Sequence, residues 1–305
     1  MSGVLILEQS LNGLQFGLML FLLAAGLTLV FGIMDMINLA HGSLYMIGAF
    51  LAAALVQATG SFAAGVLLAI PATAAIGMLL EVTVLRTLYA RDHLSQVLAT
   101  FALILILNEA VRLVFGNDRP LSAPAALAGP VELFPGMSYP AYRLFLIGVG
   151  LGVAALLYLL VTKTRVGMRV RAGASNREMA LAMGVDIRRL FTLVFGAGAA
   201  LCALAGALLA PLLAVQVGMG ESILILAFVV IVIGGIGSIR GALVGSLLVG
   251  IVDTIGRTLL PMAFGAFLPP QFASAAGPAI ASVAVYLLMA VVLTLRPQGL
   301  FPARG

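Results

Sequence analysis

The chain has 305 residues, of which 63% are hydrophobic and 9% are charged, and its mean hydropathy is +1.21. Soluble domains contain roughly 45–50% apolar and about 25% charged residues, and a chain of this size has too little interior to hide so much apolar surface. This composition excludes a cytosolic enzyme, a secreted domain and a disordered protein. The charge-free runs also exceed the roughly 10-residue strands of a membrane β-barrel. We therefore expect an all-α fold, a polytopic bundle of transmembrane helices.

The charges are unevenly distributed along the chain. Of 16 basic and 11 acidic residues, seven basic and two acidic residues lie in the segment 163–189, and the rest of the chain carries no net charge. Because loops rich in Lys and Arg stay on the cytoplasmic side of a membrane, this segment is predicted to be a cytoplasmic loop. The basic character therefore does not indicate binding of nucleic acid. In this orientation the N-terminus lies outside and the C-terminus inside.

The charge-free runs predict about nine membrane spans, within a range of eight to ten, some of them broken or re-entrant. The predicted spans are 11–33, 40–58, 62–84, 94–115, 144–161, 190–215, 222–239, 241–252 and 278–295. A proline-rich external loop is expected over 116–143, and Pro211 is expected to kink its helix. The last long charge-free run, 258–295, is expected to be broken at Pro261, at Pro269 and Pro270, and at Pro278. Glu109 with Arg112 and Asp253 with Arg257 have the spacing of intrahelical ion pairs.

Four polar residues interrupt the apolar N-terminal part of the chain: Asp35, Asn38, His41 and Ser43. An acidic group at the centre of a bilayer costs about 2.5–3.5 kcal/mol, so Asp35 is expected at an interface or facing a polar pathway. The segment is either a cytoplasmic turn between two spans or a broken segment that lines a translocation route. In the second case Gly42 allows a neighbouring helix to approach closely.

A second unusual segment contains Gly234, Gly235 and Gly237, followed by Arg240 and Gly241. One interpretation is a flexible cytoplasmic hairpin anchored by the arginine. The other is a glycine-dense element that packs backbone against backbone near a gate.

Two distant segments begin alike, with Gly42-Ser43-Leu44 in one and Gly241-Ala242-Leu243 in the other. No repeat of 20–50 residues accompanies them. The similarity is a hint of two related halves, as in transporters built from repeats.

Signatures of enzymes are scarce. The single lysine, Lys163, follows Thr162 rather than a glycine, so the chain has no phosphate-binding loop for ATP. His41 and His93 are too far apart in sequence for a metal-ligand motif, and Cys202 is the single cysteine. We expect no catalytic residues, no metal and no cofactor.

A pattern of helix-capping residues predicts a short helix within the basic loop. Ser175 or Asn176 can cap a helix whose first turn holds Glu178 and which ends at Gly184. Its short apolar face consists of Met179, Leu181, Ala182 and Met183. This helix either lies on anionic lipid at the membrane surface or docks a cytoplasmic partner.

Several of these segments resemble those of a known family. The pattern Glu178-Met179-Ala180, three residues, then Gly184 is similar to the Glu-Ala-Ala-x-x-x-Gly coupling loop of ABC-importer permeases, with Met179 in place of the first alanine. Segments that resemble LivH-type branched-chain amino-acid permeases cover the chain in order: 26–42, 182–186, 234–241 and the ending Arg296-Pro297-Gln298-Gly299-Leu300-Phe301.

The resemblance implies one transmembrane permease domain over 1–305, with 163–189 as its cytoplasmic coupling loop, in the inner (cytoplasmic) membrane of a bacterium. The implied partners are a second homologous permease subunit, two cytoplasmic ABC ATPases, a periplasmic substrate-binding protein and membrane lipid. We assign coupling to Glu178, Ala180, Gly184, Asp186 and Arg188. We assign the pathway or gate to Asp35, Asn38, His41, Gly42, Ser43, Gly234, Gly235 and Gly237.

The implied function is the transport of branched-chain or related amino acids, driven by ATP hydrolysis on the partner ATPases. The alternative substrates are urea, short amides or other small solutes. A secondary transporter or channel would need coupling-ion carboxylates inside its spans, for which Asp35 and Asp253 are among the few candidates. A membrane enzyme or assembly factor is the remaining alternative.

Overall fold

A computed structural model describes residues 3–267 and 269–301 and shows a helical protein. The α-helices are α1 (Gly3–Met34), α2 (His41–Thr59), α3 (Phe62–Leu80), α4 (Arg86–Leu88), α5 (His93–Phe115), α6 (Ala141–Lys163), α7 (Arg165–Ser175), α8 (Arg177–Ala182), α9 (Ile187–Leu209), α10 (Met219–Gly234), α11 (Ile239–Phe264) and α12 (Pro270–Leu295). A π-helical segment, Glu81–Leu85, joins α3 to α4, and a 3₁₀ turn forms at Ala125–Leu127. The two strands are β1 (Pro130–Phe134) and β2 (Met137–Pro140).

In the part of the chain that the structure describes, eight helical segments are long and apolar enough to cross a membrane. They are Gly3–Met34, His41–Thr59, Phe62–Leu88, His93–Phe115, Ala141–Lys163, Ile187–Leu209, Ile239–Phe264 and Ser274–Leu295. Helix α10 is also apolar but has 16 residues. The prediction of an all-α, polytopic membrane protein is confirmed.

The prolines do not all act as predicted: one ends a helix that was expected to continue, and two lie inside helices that were expected to break. Helix α9 ends at Leu209 instead of continuing through a kink, because Pro211 has no N–H for the next helical hydrogen bond. In contrast, α11 continues past Pro261, and α12 begins before Pro278 and contains it. Membrane helices tolerate proline where neighbouring groups compensate for the lost bond, and Pro261 packs closely against Gly277 of α12.

The proline-rich loop between α5 and α6 contains a β-hairpin that the sequence pattern did not predict. Strands β1 and β2 pair antiparallel, and Gly136 occupies the turn with a φ of +86°. The hydroxyl of Tyr139 donates to Asn12 Oδ1 at 2.9 Å, and Arg143 Nη1 donates to the same oxygen at 2.6 Å. Burial raises the pKa of Tyr139. The Tyr139 bond attaches the hairpin to the first part of α1, and the Arg143 bond attaches the start of α6 to the same residue.

The structure has two compact units. The first comprises the chain up to Phe21, Ala125–Gly152 and the part that begins at Leu226; the second comprises Leu22–Pro124 and Val153–Ile225. In the first unit, Gly17 of α1 lies against the Ser246 carbonyl of α11. In the second, α2, α3 and α9 pack together around small residues such as Ala52, Ala69 and Ala207. Small side chains let membrane helices approach closely.

Candidate functional site

The basic segment is folded as two consecutive helices, α7 and α8. Thr164 caps α7, where its Oγ1 accepts from the Gly167 amide at 3.1 Å. Asn176 caps α8, where its Oδ1 accepts from the Met179 amide at 2.9 Å. The predicted short helix is therefore present with Asn176 as its cap, while Ser175 is the last residue of α7. Helix α7 was not predicted, because its density of arginine was interpreted as a loop.

The end of α8 explains the spacing between Ala180 and Gly184. The Gly184 amide donates to the Leu181 carbonyl at 2.9 Å, and the Val185 amide donates to the Ala180 carbonyl at 3.0 Å. These two bonds form a Schellman motif, which needs a left-handed residue after the helix. Gly184 supplies it with a φ of +83°, so the prediction that this glycine ends the helix is confirmed.

The large apolar side chains of α8 and of the residue after it are exposed on the surface of the protein. Met179, Leu181 and Met183 are 61%, 62% and 79% exposed, whereas Ala180 is 4% exposed. Glu178 is also exposed and lies in the first turn, where a negative charge stabilises a helix. Exposed Met and Leu within a strongly basic segment form a surface suited to a partner.

Arg177 attaches α8 to two membrane helices. Its Nε donates to the Ile33 carbonyl at 3.1 Å, near the end of α1. Its guanidinium lies over the Phe191 ring of α9, 5.6 Å from the ring centre. The predicted coupling segment therefore contacts the end of α1, two residues before Asp35.

The segment from Asp35 to Ser43 links α1 to α2. Asp35 is exposed and has a φ of +50°, an uncommon conformation that aspartate tolerates better than most residues. Asn38, His41 and Ser43 are buried. Asn38 Oδ1 accepts from the Ala40 amide at 3.0 Å, which fixes the turn that enters α2.

His41 begins α2 and is fully buried. Its Nε2 lies 3.0 Å from Cys202 Sγ of α9, and its ring meets Phe195 edge-on. The ring fits against the backbone of two glycines, Gly26 of α1 and Gly198 of α9. Cys202 is fully buried, as cysteine commonly is in proteins.

Three buried side chains in this turn and the start of α2 each keep a polar atom without a hydrogen bond. Within the described residues, Asn38 Nδ2, His41 Nδ1 and Tyr45 Oη are buried without a hydrogen-bond partner. His41 and Tyr45 are four residues apart on α2 and so share a face. Leaving such groups unpaired costs about 1–3 kcal/mol each, which favours contact with water or a polar solute in some state of the protein.

The glycine-rich segment belongs to the first unit and is closely packed. Gly234, the last residue of α10, lies against Gly241 of α11 with no space for a Cβ on either. The ending of the chain covers this contact, because the Leu300 and Phe301 amides donate to the Ile233 and Gly234 carbonyls, each at 2.9 Å. Two segments that carry the family resemblance therefore meet, which the sequence did not predict.

Gly235 and Gly237 have φ angles of +104° and +82°, so both adopt conformations that favour glycine. Gly299, with a φ of +80°, packs directly on Gly235. This backbone-to-backbone packing corresponds to one of the two interpretations of the segment. A role for these glycines at a gate stays a prediction.

The sequence interpretation missed a buried carboxylate, Glu81, in the π-helical segment. Arg86 donates to both oxygens, from Nε at 3.2 Å and Nη2 at 2.9 Å; Tyr89 Oη donates at 2.9 Å and Thr192 Oγ1 at 2.7 Å. Burial and the bond to Glu81 raise the pKa of Tyr89. An acid within an apolar run, with an arginine five residues later, was the available signal.

The start of α9 holds the last predicted coupling residues. Asp186 caps the helix, accepting from the Arg189 amide at 3.1 Å, and forms a 3.0 Å ion pair with the Arg189 side chain. Both side chains of that pair are exposed, so the pair contributes little to stability. Arg188 is exposed, and its carbonyl accepts from Thr192 at 3.1 Å. Two other predicted pairs, Glu109–Arg112 and Asp253–Arg257, are confirmed at 2.8 Å each.

Comparison with known proteins places this architecture in a family. Residues 9–294 match the family described as branched-chain amino acid transport system, permease component. The chain is 31% identical to the high-affinity branched-chain amino acid transport system permease protein BraD of Pseudomonas aeruginosa, over 96% of this chain and 95% of that protein.

It is 30% identical to the permease protein LivH of the corresponding system of Escherichia coli, over 83% of this chain and 87% of that protein. A probable LivH of Methanocaldococcus jannaschii is 29% identical, over 81% and 80% of the two chains. No solved structure matches. With almost its whole length matched, the chain belongs to the family of permease components of branched-chain amino acid transport systems.

Proposed function

We propose that this protein is the membrane-spanning permease subunit of an ABC importer that carries branched-chain amino acids across the cytoplasmic membrane. The observation that carries this proposal is the family match over residues 9–294, together with relatives named as permease proteins of branched-chain amino acid transport systems. The chain forms the route for the solute, and ATP hydrolysis on other polypeptides supplies the energy.

The proposed assembly contains a second homologous permease, two cytoplasmic ATPases and a periplasmic binding protein. The outward-facing apolar surface of α8 supports the contact with an ATPase, because Met179, Leu181 and Met183 are otherwise exposed to water on a charged segment. Glu178 and the basic residues around α8 surround that surface and favour a partner with complementary charge.

Coupling requires that a movement of α8 reach the membrane helices. Arg177 supplies the mechanical connection, since it holds the Ile33 carbonyl and the Phe191 ring at the same time. A displacement of α8 by an ATPase would pull on the end of α1 and on the first turns of α9. Asp35 follows Ile33 closely, so the same displacement would change the turn that enters α2.

The pathway proposal rests on the buried polar side chains at the start of α2. Asn38 and His41 are 0% exposed in this structure, yet both keep a polar nitrogen without a partner among the described residues. An outward- or inward-open state would give these nitrogens access to water or solute. Asp35, Gly42 and Ser43 complete this proposed gate. Within the first unit, Gly234, Gly235 and Gly237 are separately proposed to belong to the pathway or a gate.

Reconstitution tests the function directly. The isolated chain in proteoliposomes should neither hydrolyse ATP nor accumulate labelled leucine, even with an imposed proton or sodium gradient. Adding the second permease, both ATPases and the binding protein should produce ATP-dependent uptake that isoleucine and valine inhibit and urea does not. Gradient-driven accumulation by the isolated chain would make it a secondary transporter and contradict the proposal.

The coupling role is tested by Glu178→Lys and Gly184→Val in the complete assembly. Both variants should insert in the membrane and lose about tenfold or more of ATP-driven uptake, because one reverses a charge at the docking surface and the other strains the end of α8. The matched controls are Glu132→Lys and Gly136→Val on the β-hairpin, where Gly136 has a similar φ of +86° and open space around it. Unchanged uptake in both coupling variants would refute this role.

The gate proposal is tested by cysteine labelling in a Cys202→Ser background. Asn38→Cys and His41→Cys should react with a small water-soluble thiol reagent in one of the two states obtained with and without ATP. Leu113→Cys, at a position 79% exposed on an apolar helix, serves as a control that should stay in contact with lipid. Absence of labelling at both positions in both states would remove this segment from the pathway.

A further inference from the structure

A cavity of about 360 Å³ lies where two candidate spans end, next to the basic segment. Its lining residues are Glu81, Arg86, Tyr89, Ile187, Arg188 and Phe191. The span Phe62–Leu88 ends beside it, and the span Ile187–Leu209 begins there. The cavity is therefore at the depth of a membrane surface rather than in the middle of the bundle.

The only acidic group in this lining is already neutralised. Both oxygens of Glu81 accept hydrogen bonds, and Arg86 forms a bidentate ion pair with them. Arg188 also lines the cavity, and among residues 3–267 and 269–301 its guanidinium has neither an ion pair nor a hydrogen bond. The cavity consequently offers one unbalanced positive charge to a ligand, and an anion would satisfy it.

The surface next to the cavity is apolar and exposed. Val82 follows Glu81 in the π-helical segment and is 46% exposed, and Leu193 follows Thr192 on α9 and is 63% exposed. Tyr89, in the cavity wall, is a residue type enriched at membrane–water interfaces. A ligand that fits this arrangement has an anionic head for the cavity and hydrocarbon for the adjoining helix surface.

We propose that this cavity binds the phosphate group of an anionic phospholipid, held chiefly by Arg188, with the acyl chains along Val82 and Leu193. Assigning that lipid to the cytoplasmic leaflet rests on the orientation given by the proposed function; the binding itself does not. Basic pockets between membrane helices bind phospholipid headgroups by the same chemistry. Because Arg188 is in the first turn of α9, the bound lipid would steady the helix to which Arg177 attaches α8.

The experiment compares Arg188→Gln with Arg189→Gln in the purified full-length chain. The two variants lose the same charge at adjacent positions, but Arg189 points to solvent with 86% of its side chain exposed and pairs with Asp186. Native mass spectrometry from micelles that contain phosphatidylglycerol or phosphatidylcholine would count the retained lipids. The wild type and Arg189→Gln should retain phosphatidylglycerol preferentially, and Arg188→Gln should lose about tenfold of that preference.

Inorganic phosphate distinguishes a lipid headgroup from a free anion. Millimolar phosphate in phosphatidylcholine micelles should not raise the melting temperature, whereas phosphatidylglycerol should raise it in the wild type and in Arg189→Gln but not in Arg188→Gln. An equal loss of phosphatidylglycerol in both variants would overturn the proposal, as would stabilisation by phosphate alone. No ATPase or binding protein enters this test, so its outcome is independent of transport.

Discussion

Helices α2 and α11 begin with the same kind of contact, a glycine against a glycine of α10. Gly42, the second residue of α2, lies against the Gly220 carbonyl, and Gly241, the third residue of α11, lies against the Gly234 carbonyl. At each position a Cβ would overlap backbone atoms that cannot rotate away. Close packing at a helix start therefore accounts for a glycine at both positions.

The surroundings of these two contacts differ. The residue before Gly42 is His41, fully buried against α9, whereas the residue before Gly241 is Arg240, which is exposed. Helix α2 has no side-chain cap, while Ser238 Oγ caps α11 by accepting from the Gly241 amide at 3.1 Å. The start of α2 depends on packing alone for want of a side-chain cap, whereas the start of α11 has both close packing and a local cap. Although the two backbone contacts are alike, we expect different neighbouring side chains to stabilise them: His41 at the start of α2 and Ser238 at the start of α11.

Filling either glycine contact should have the largest effect. Gly42→Ala and Gly241→Ala should each lower the free energy of unfolding by about 3 kcal/mol, because overpacking against backbone atoms costs more than the roughly 0.5–1 kcal/mol gained in helix propensity. Thermal unfolding in detergent measures the change. Gly148→Ala on α6, where a Cβ meets nothing within 4 Å, is the control and should be neutral or stabilising. If Gly42→Ala left the stability unchanged, the start of α2 would be able to move away from α10 to make room for the Cβ.

Truncating the side chain before each glycine should destabilise the protein by different amounts at the two helix starts. His41→Ala should cost about 2 kcal/mol, since it leaves a cavity between α1, α2 and α9, whereas Arg240→Ala on the surface should cost less than about 1 kcal/mol. The same unfolding assay compares both variants with the wild type. Equal losses would mean that the buried histidine contributes no more packing than the exposed arginine.

The smallest expected effect is the loss of the α11 cap. Ser238→Ala should lower the free energy of unfolding by about 1 kcal/mol, because the Gly241 amide loses its acceptor. Ser222→Ala is the matched control, since its hydroxyl donates to Met219 within α10 and caps no amide. A result in which both serine variants behave alike would show that local capping does not hold this helix start.

Sequence patterns predicted the features that are determined locally. The spans follow from charge-free runs, and α8 follows from a cap, an acidic first turn and a terminal glycine. Partners distant in sequence were not predictable: Thr192 binds Glu81 across 111 residues, and Cys202 meets His41 across 161. Neither pair leaves a periodic signal in the sequence. The contact of Phe301 with Gly234 likewise depends on the path of the whole chain.

The helix breaks predicted at Pro261 and Pro278 and the loop predicted for the arginine-rich segment were wrong for a physical reason. A proline within an apolar run predicts a break in water, but in a membrane the helix continues where neighbouring helices compensate, as α11 and α12 do at Pro261 and Pro278. Arginine-rich stretches suggest a solvated loop, yet α7 is a helix of 11 residues with Thr164 as its cap. Both cases show that the surrounding medium decides how a residue type affects the backbone.

The exposed face of α8 is built largely from methionine, which makes it sensitive to oxidants. The thioethers of Met179 and Met183 are accessible, whereas Met19 and Met46 are buried and protected. Conversion to the sulfoxide would make the apolar surface proposed to dock an ATPase polar without a change in the gene, and methionine sulfoxide reductases would reverse it. We expect oxidative stress to modify Met179 and Met183 before the buried methionines, and peptide mapping after mild peroxide treatment would reveal the order of modification.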